Sequence, residues 1–328
     1  MKKICWFLPV IALLAAATTA AAQQTKKIAR IGLLSPGNLQ RQMQNPRVRA
    51  FFQGLRELGW VEGKNLTVER RFANDQLSQL DGLAIDLAAL KVDVIVTAAF
   101  PSAKAAKHAT TTIPIVILDP GDPVGTGLVK SLARPGGNVT GISSIAPDLA
   151  AKRLQLLKEA ATKISRVAVL FNDEIPPAEI AMKELEITAG ALKLDLEFMP
   201  VKSPSGFDNA FDVMTQQHVD AVIVFADPLT FSNSDIIVNF ANRSRRPALY
   251  AAQEFVDAGG LMSYGPSYPN MFRRGAYFVD RILNGTRPVD LPVEQPMQFD
   301  FVINLKAAKQ IGLTIPPNVL ARADRVIR

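Results

Sequence analysis

The sequence predicts an α/β protein built from two doubly wound lobes. Short β-rich runs alternate with amphipathic helices from Ile28 onward, and the alternation restarts after Ser143. The run Val92–Ala98 is almost continuously apolar, as expected of a parallel strand covered on both faces. A length of 328 residues accommodates about two domains of ~150 residues each.

Ile28–Leu34 reads as the first strand, closed by Ser35-Pro36-Gly37. Val48, Phe51, Phe52, Leu55 and Leu58 then recur at helical spacing until Gly59. Leu66–Phe72 is the second strand, Leu77–Leu90 a helix, and Val92–Ala98 the third strand. Ser102–Thr110 is expected to be helical, Ile113–Leu118 a strand, Val124–Leu132 a helix, and Val139–Ser143 a fifth strand. In the second half Ala150, Leu154, Leu157, Ala161 and Ile164 form a helical stripe, with Asp148 placed to cap it. Strands follow at Val167–Phe171, Leu196–Pro200, Ala221–Phe225 and Ala248–Tyr250, separated by helices near Ala178–Leu192, Phe207–Gln217 and Ser234–Ser244. Each half reads as a Rossmann-like βαβ array, with no sequence repeat between them.

The tail holds a helix carrying Phe272, Ala276, Val279 and Leu283, a loop over Gly285–Pro292, a strand over Gln298–Ile303 and a helix over Leu305–Ile311. These pieces are too short for a third domain, so they return to the two lobes. The expected division is a leader over 1–22, lobe one over 28–143 with 266–286, and lobe two over 148–262 with 293–326. Crossings then fall at Ser144–Pro147, Ser263–Pro266 and Arg287–Val293. Several parallel crossings make a multi-strand hinge rather than a flexible linker.

Composition removes several function classes. With 48% hydrophobic and 20% charged residues the chain is not of disordered type. The net charge is +7 without any long basic block, which argues against a nucleic-acid partner. Cys5 is the single cysteine, so a disulfide scaffold, a cysteine zinc site and a cysteine nucleophile are all unsupported. His108 and His218 are the only histidines, and neither has a recognisable catalytic partner. No metal site, catalytic residue or cofactor is expected.

Met1-Lys2-Lys3 precedes an apolar run from Ile4 to Ala17, and Ala20-Ala21-Ala22 precedes Gln23. This is the order of a secretory signal peptide, cut near Ala22. The apolar run, ~14 residues, falls short of the ~20 needed to span a bilayer. The mature protein is therefore expected in the periplasm, without Cys5.

Several motifs point to one family. They are Gly54-Leu55-Arg56-Glu57-Leu58-Gly59-Trp60 with Glu62-Gly63-Lys64-Asn65, then Ile113-Pro114-Ile115-Val116 and Asp122-Pro123. Gly127-Leu128-Val129 and Leu132-Ala133-Arg134-Pro135-Gly136-Gly137-Asn138-Val139-Thr140-Gly141 follow, with Ile311-Gly312-Leu313-Thr314-Ile315-Pro316 and Ala323-Asp324-Arg325-Val326 at the end. On these the chain resembles the solute-binding components of bacterial ABC importers, with the type I periplasmic binding protein fold. It is most similar to the branch with tryptophan- and phenylalanine-binding members. The resemblance implies a monomer that closes around a small-molecule solute, an amino acid (aromatic in that branch) or a related carboxylate. It also implies a transient partner, the ABC permease of the inner membrane.

Ligands of open α/β sheets bind beyond the carboxyl ends of the strands. In lobe one that rule selects Ser35, Asn38, Thr97, Ala98, Phe100, Ser102, Asp119, Asp122 and Ser143; in lobe two it selects Asn172, Asp173, Asp227, Tyr250 and Glu254. Ser102 either simply caps the following helix or, with the free N–H groups of that helix start, holds a ligand anion. Phe100 covers an apolar ligand or belongs to the core. Asp227 and Asp119 pair with a ligand ammonium or cap the next turn. Tyr250 and Glu254 face the cleft or an exposed loop. Trp60 is expected to pack away from the solute. Arg134–Asn138 lacks the Lys-Ser/Thr ending of a phosphate loop and reads as a turn.

Three rivals remain to be weighed. An exported hydrolase needs a Gly-x-Ser-x-Gly elbow, which the chain lacks. A transcription regulator needs a helix-turn-helix where the leader stands. A sensor feeding a membrane receptor shares every feature above.

Overall fold

The architecture comes from a computed structural model describing residues 28–144, 146–172 and 177–328, with the backbone course alone for 146–148 and 177–180. The leader, Asp173 and the side chain of Asp148 thus lie outside the described residues. Lobe one is a parallel sheet of β1 (Ala29–Ser35), β2 (Leu66–Phe72), β3 (Val94–Ala98), β4 (Ile115–Leu118) and β5 (Val139–Ile142), in the order β2-β1-β3-β4-β5. Its helices are α1 (Leu39–Gln44), α2 (Pro46–Glu57), α3 (Leu80–Ala89) and α4 (Ala99–Ala109).

Lobe two is built from α5 (Ala146–Ala160), β6 (Arg166–Asn172), α6 (Pro177–Leu192), β7 (Asp195–Val201), α7 (Gly206–Gln216) and β8 (Ala221–Val224). It continues through α8 (Pro228–Ser232), α9 (Ser234–Arg243), β9 (Ala248–Tyr250), α10 (Gln253–Asp257) and β10 (Met262–Pro266). After α11 (Tyr268–Leu283) come β11 (Phe299–Asn304), α12 (Leu305–Ile311), α13 (Pro317–Leu320) and β12 (Arg325–Ile327). The sheet order is β7-β6-β8-β9-β10-β11-β12, and among the described residues only the β10–β11 pair is antiparallel.

Each sheet changes winding direction once, between β1 and β3 and between β6 and β8, and a ligand crevice opens at such points. Helix α11 packs on α2 and over β3, β4 and β5, so it belongs with lobe one. Gly54 makes that approach possible: a Cβ there would lie 2.7 Å from the Arg273 carbonyl oxygen. Trp60 packs at the edge of this cluster and donates to Asp280 at 2.9 Å, away from the cleft.

Three local expectations are corrected. Val124–Leu132 is not helical: Pro123, Gly125 and Gly127 interrupt it, and Asp122 folds a turn by accepting from Val124 N and Gly125 N. Ser263–Pro266 is not a bare crossing but lies within β10, paired with β9 and β11, so the chain crosses at Ser267. Arg287–Val293 stays on lobe one. There Val293 N donates to Leu132 O, Glu294 N donates to Gly141 O, and Thr140 Oγ1 donates to Leu291 O. The return to lobe two falls at 295–298.

Candidate ligand-binding site

A cavity of about 240 Å³ lies where the two switch points face each other. Ser35 and Ala98 reach it from the ends of β1 and β3, Asn172 from the end of β6, and Ala226 and Asp227 from beyond β8. Phe100, Phe171, Phe225, Phe231, Tyr268 and Phe272 supply aromatic walls from both lobes and from the start of α11. Asn38 sits at the rim, where its side chain caps α1 by accepting from Gln40 N at 2.9 Å.

Arg47, near the start of α2, is the central charge. Its guanidinium lies 4.2 Å from the Phe231 ring centroid and 3.7 Å from that of Tyr268, a cation held between two π faces. Its Nε donates to Glu254 of α10, and its Nη1 lies 3.7 Å from the Asp119 carboxylate. Burial alone lowers the pKa of Arg47; the Glu254 charge and hydrogen bond, with Tyr268 and Asp119, more than reverse that and raise it. Glu254 is held below the usual carboxylate range by Arg47, against its own burial. A second contact across the cleft runs from Ser232 Oγ to Asp75 at 3.0 Å. The lobes are therefore closed on each other.

The other two acids behave differently. Burial pushes the Asp119 carboxyl up to about 6 although Arg47 and Ser144 pull it down. Its backbone is left-handed, with φ +59°, which turns the chain sharply at the end of β4. Burial likewise pushes Asp227 up to about 6, against the hydrogen bonds it receives. Asp227 caps α8 with Thr230 in a reciprocal capping box, so the turn-capping role is realised and the carboxylate still lines the cavity.

Of the residues selected from strand ends, Ser35, Asn38, Ala98, Phe100, Asp119, Asn172, Asp227 and Glu254 line this cavity. Five others do not. Thr97 and Ser102 are fully buried with unpartnered hydroxyls. α4 begins at Ala99 with Ala98 as its cap residue, so Ser102 stands in the helix body instead of capping it. Thr97 is one residue short of the strand end and points to a sheet face, because side chains alternate along a strand. Tyr250 is also in the core, its ring stacked on Phe255 with centroids 5.0 Å apart and its hydroxyl pKa raised by burial. Asp122 is spent on its own turn, and Ser143 donates to Gly121 O while Ser144 takes the cleft position. Among the described residues no group of three or more His, Cys, Asp or Glu side chains is arranged to hold a metal ion.

Strand-end logic missed Arg47, Arg153, Phe231, Tyr268 and Phe272, all on helices. A signal for the two arginines was present: each stands on an apolar helical stripe, Arg47 four residues before Phe51 and Arg153 three after Ala150.

Known proteins are similar to this chain in sequence and fold. A tyrosine-binding protein of Clostridioides difficile is 27% identical over 266 residues, 81% of this chain and 76% of that protein. The structure of an ABC domain from Streptococcus pneumoniae in complex with L-Trp superposes with a TM-score of 0.85 at 28% identity, covering 91% of this chain and 99% of that one. A ligand-free, open substrate binding protein with adhesive properties from Clostridium difficile gives 0.67 at 25% identity, over 92% of this chain and 99% of that one. The sequence pattern described as ABC transporter substrate binding protein matches residues 42–327, nearly all of the described chain, and the protein belongs to that family.

Proposed function

We propose that the protein is a periplasmic receptor that captures an aromatic amino acid, or a related small carboxylate, and delivers it to an ABC importer. The cavity itself carries the reading: six aromatic side chains enclose it, and Asp227 inside it has no cationic partner among the described residues. Aromatic rings suit an apolar side chain, and a buried carboxylate without a countercharge suits an ammonium. The relatives that bind tyrosine and L-Trp support the same class. Closer agreement with the Trp complex than with the open, ligand-free relative supports closure around solute. Export rests on the leader order of residues 1–22, and intact mass from a native-like host should show cleavage after Ala22. The protein acts as a monomer whose lobes present their surface loops to the permease.

A thermal-shift screen of the amino acids, aromatic carboxylates and a set of sugars tests the reading. Ligand at ~100 times its Kd adds about 2.7 kcal/mol to folded-state stability, a rise of roughly 5–10 °C for lobes of this size. A screen in which sugars stabilise the protein and no amino acid does overturns it.

A further inference from the structure

Arg153 on α5 is 3% exposed, lines the cavity and stands beside β10, the strand that leads into the Ser267 crossing. Its Nε donates to the Tyr264 carbonyl oxygen of β10 at 2.7 Å. Its Nη2 lies beside Gly265, where a Cβ would come within 3.6 Å of it. Both guanidinium groups, this one and that of Arg47, are buried in one cavity and both lie within electrostatic reach of Tyr268. Arg47 is met by Glu254 and Asp119, whereas Arg153 meets no carboxylate among the described residues. Burial pushes the Arg153 pKa down to about 10. A buried cation without a countercharge is costly to hold, and its remaining planar N–H fork matches a carboxylate.

We propose that Arg153 is the receptor for the anionic group of the solute, a specificity-determining residue that selects a free carboxylate. The assignment rests on the amino-acid reading above. The solute then lies with its carboxylate toward Arg153 and its ammonium toward Asp227, while the aromatic walls hold the side chain. The first turn of α4 is not needed as an anion site.

The test compares L-tryptophan, L-tyrosine and L-phenylalanine with their amides by calorimetry. The parent protein should bind at least one acid about 100-fold or more tightly than its amide. In Arg153→Gln, which retains a donor for the Tyr264 carbonyl, the acid should weaken by about 100-fold. The amide should stay within about threefold, since it brings no charge for Arg153 to meet. Should that variant misfold, Arg153→Lys and the parent itself decide: in 15N-arginine-labelled parent protein the Arg153 side-chain resonance should move with acid and not with amide. Equal losses for acid and amide, or discrimination that survives the substitution, overturn the assignment and leave the amino-acid reading standing. If the parent binds neither acid nor amide, both fall.

Discussion

At Asp227 one carboxylate accepts from Leu229 N and Thr230 N through Oδ1, and Thr230 Oγ1 lies 3.2 Å from Oδ2. Asn172 is a further side-chain donor to this carboxylate. The single Thr230 hydroxyl proton has a nearer acceptor in Phe225 O at 2.8 Å, so one of about four lone-pair sites remains for a solute ammonium. Asp227→Asn keeps a competent helix cap and removes only the charge. Calorimetry should then show the preferred amino acid bound about 30-fold or more weakly with little change in melting temperature. An unchanged Kd would remove the ammonium role. The pH dependence has a definite sign. With its carboxyl near 6 in the folded protein, Asp227 must lose a proton to meet an ammonium, so affinity should fall by roughly tenfold per pH unit below 6. Between about pH 6 and pH 4 the ligand-free folded chain holds more protons here than the unfolded chain. This group's contribution to stability therefore grows as pH falls through that window, opposite to an ordinary salt-bridged Asp. Asp119 titrates in the same range beside Arg47, and the Asn variant separates the two.

Helices α2 and α11 carry the two sides of the Arg47–Tyr268 contact, and their spacing depends on Gly54. The motif Gly54-Leu55-Arg56-Glu57-Leu58-Gly59 is thus a packing device with a consequence for the cleft. An added Cβ at Gly54 would also come within 2.9 Å of Ala276 Cβ, so the helices must part. Gly54→Leu should cost about 1–3 kcal/mol, read as a lower melting temperature, and should weaken solute binding because Arg47 moves with α2. A variant that melts like the parent would show that the helix pair yields more easily than its close packing implies. Helix-breaking residues explain the missing helix after β4. Pro123, Gly125 and Gly127 leave that stretch as turns, which set Asp119, Pro120 and Gly121 against the cavity.

Across the whole molecule, closure is held by contacts that join distant parts of the chain. Arg47 and Glu254 are 207 residues apart in sequence, and Asp75 and Ser232 are 157 apart. Hinged proteins move a few loop positions while each body stays rigid. Among the described residues the chain passes between the lobes at Ser267 and at 295–298, and the crossing expected at Ser144–Pro147 includes a position outside them. A solute touching both lobes shifts the population toward the closed form by its differential affinity. Small-angle scattering should show a larger radius of gyration without solute and compaction with it. Arg47→Met should leave the ligand-free protein more open and Glu254 without its countercharge. A confirmed tight binder that leaves the radius of gyration unchanged would refute the hinge mechanism while leaving the binding assignment intact.

Alternation of apolar runs and turn residues was enough to reveal the two α/β lobes, the strand ends that form the cleft and, through local motifs, the family. These are local properties, because the periodicity of a strand or helix is written over a few neighbouring residues. That is why Ser35, Ala98, Asn172 and Asp227 could be selected from the chain alone. Tertiary structure decided what the periodicity leaves open. Tyr250 and Thr97 stand at or near strand ends, yet they face the core, and only the packing of α10 over β9 shows it for Tyr250. Arg47 and Arg153 come from helices, and they become site residues because topology brings α2, α5 and the start of α11 to one cavity. The third crossing moved past Glu294 because the edge of β5 offered backbone partners that no sequence pattern reveals. Contacts between residues hundreds of positions apart depend on how the elements pack, and that is settled only in three dimensions.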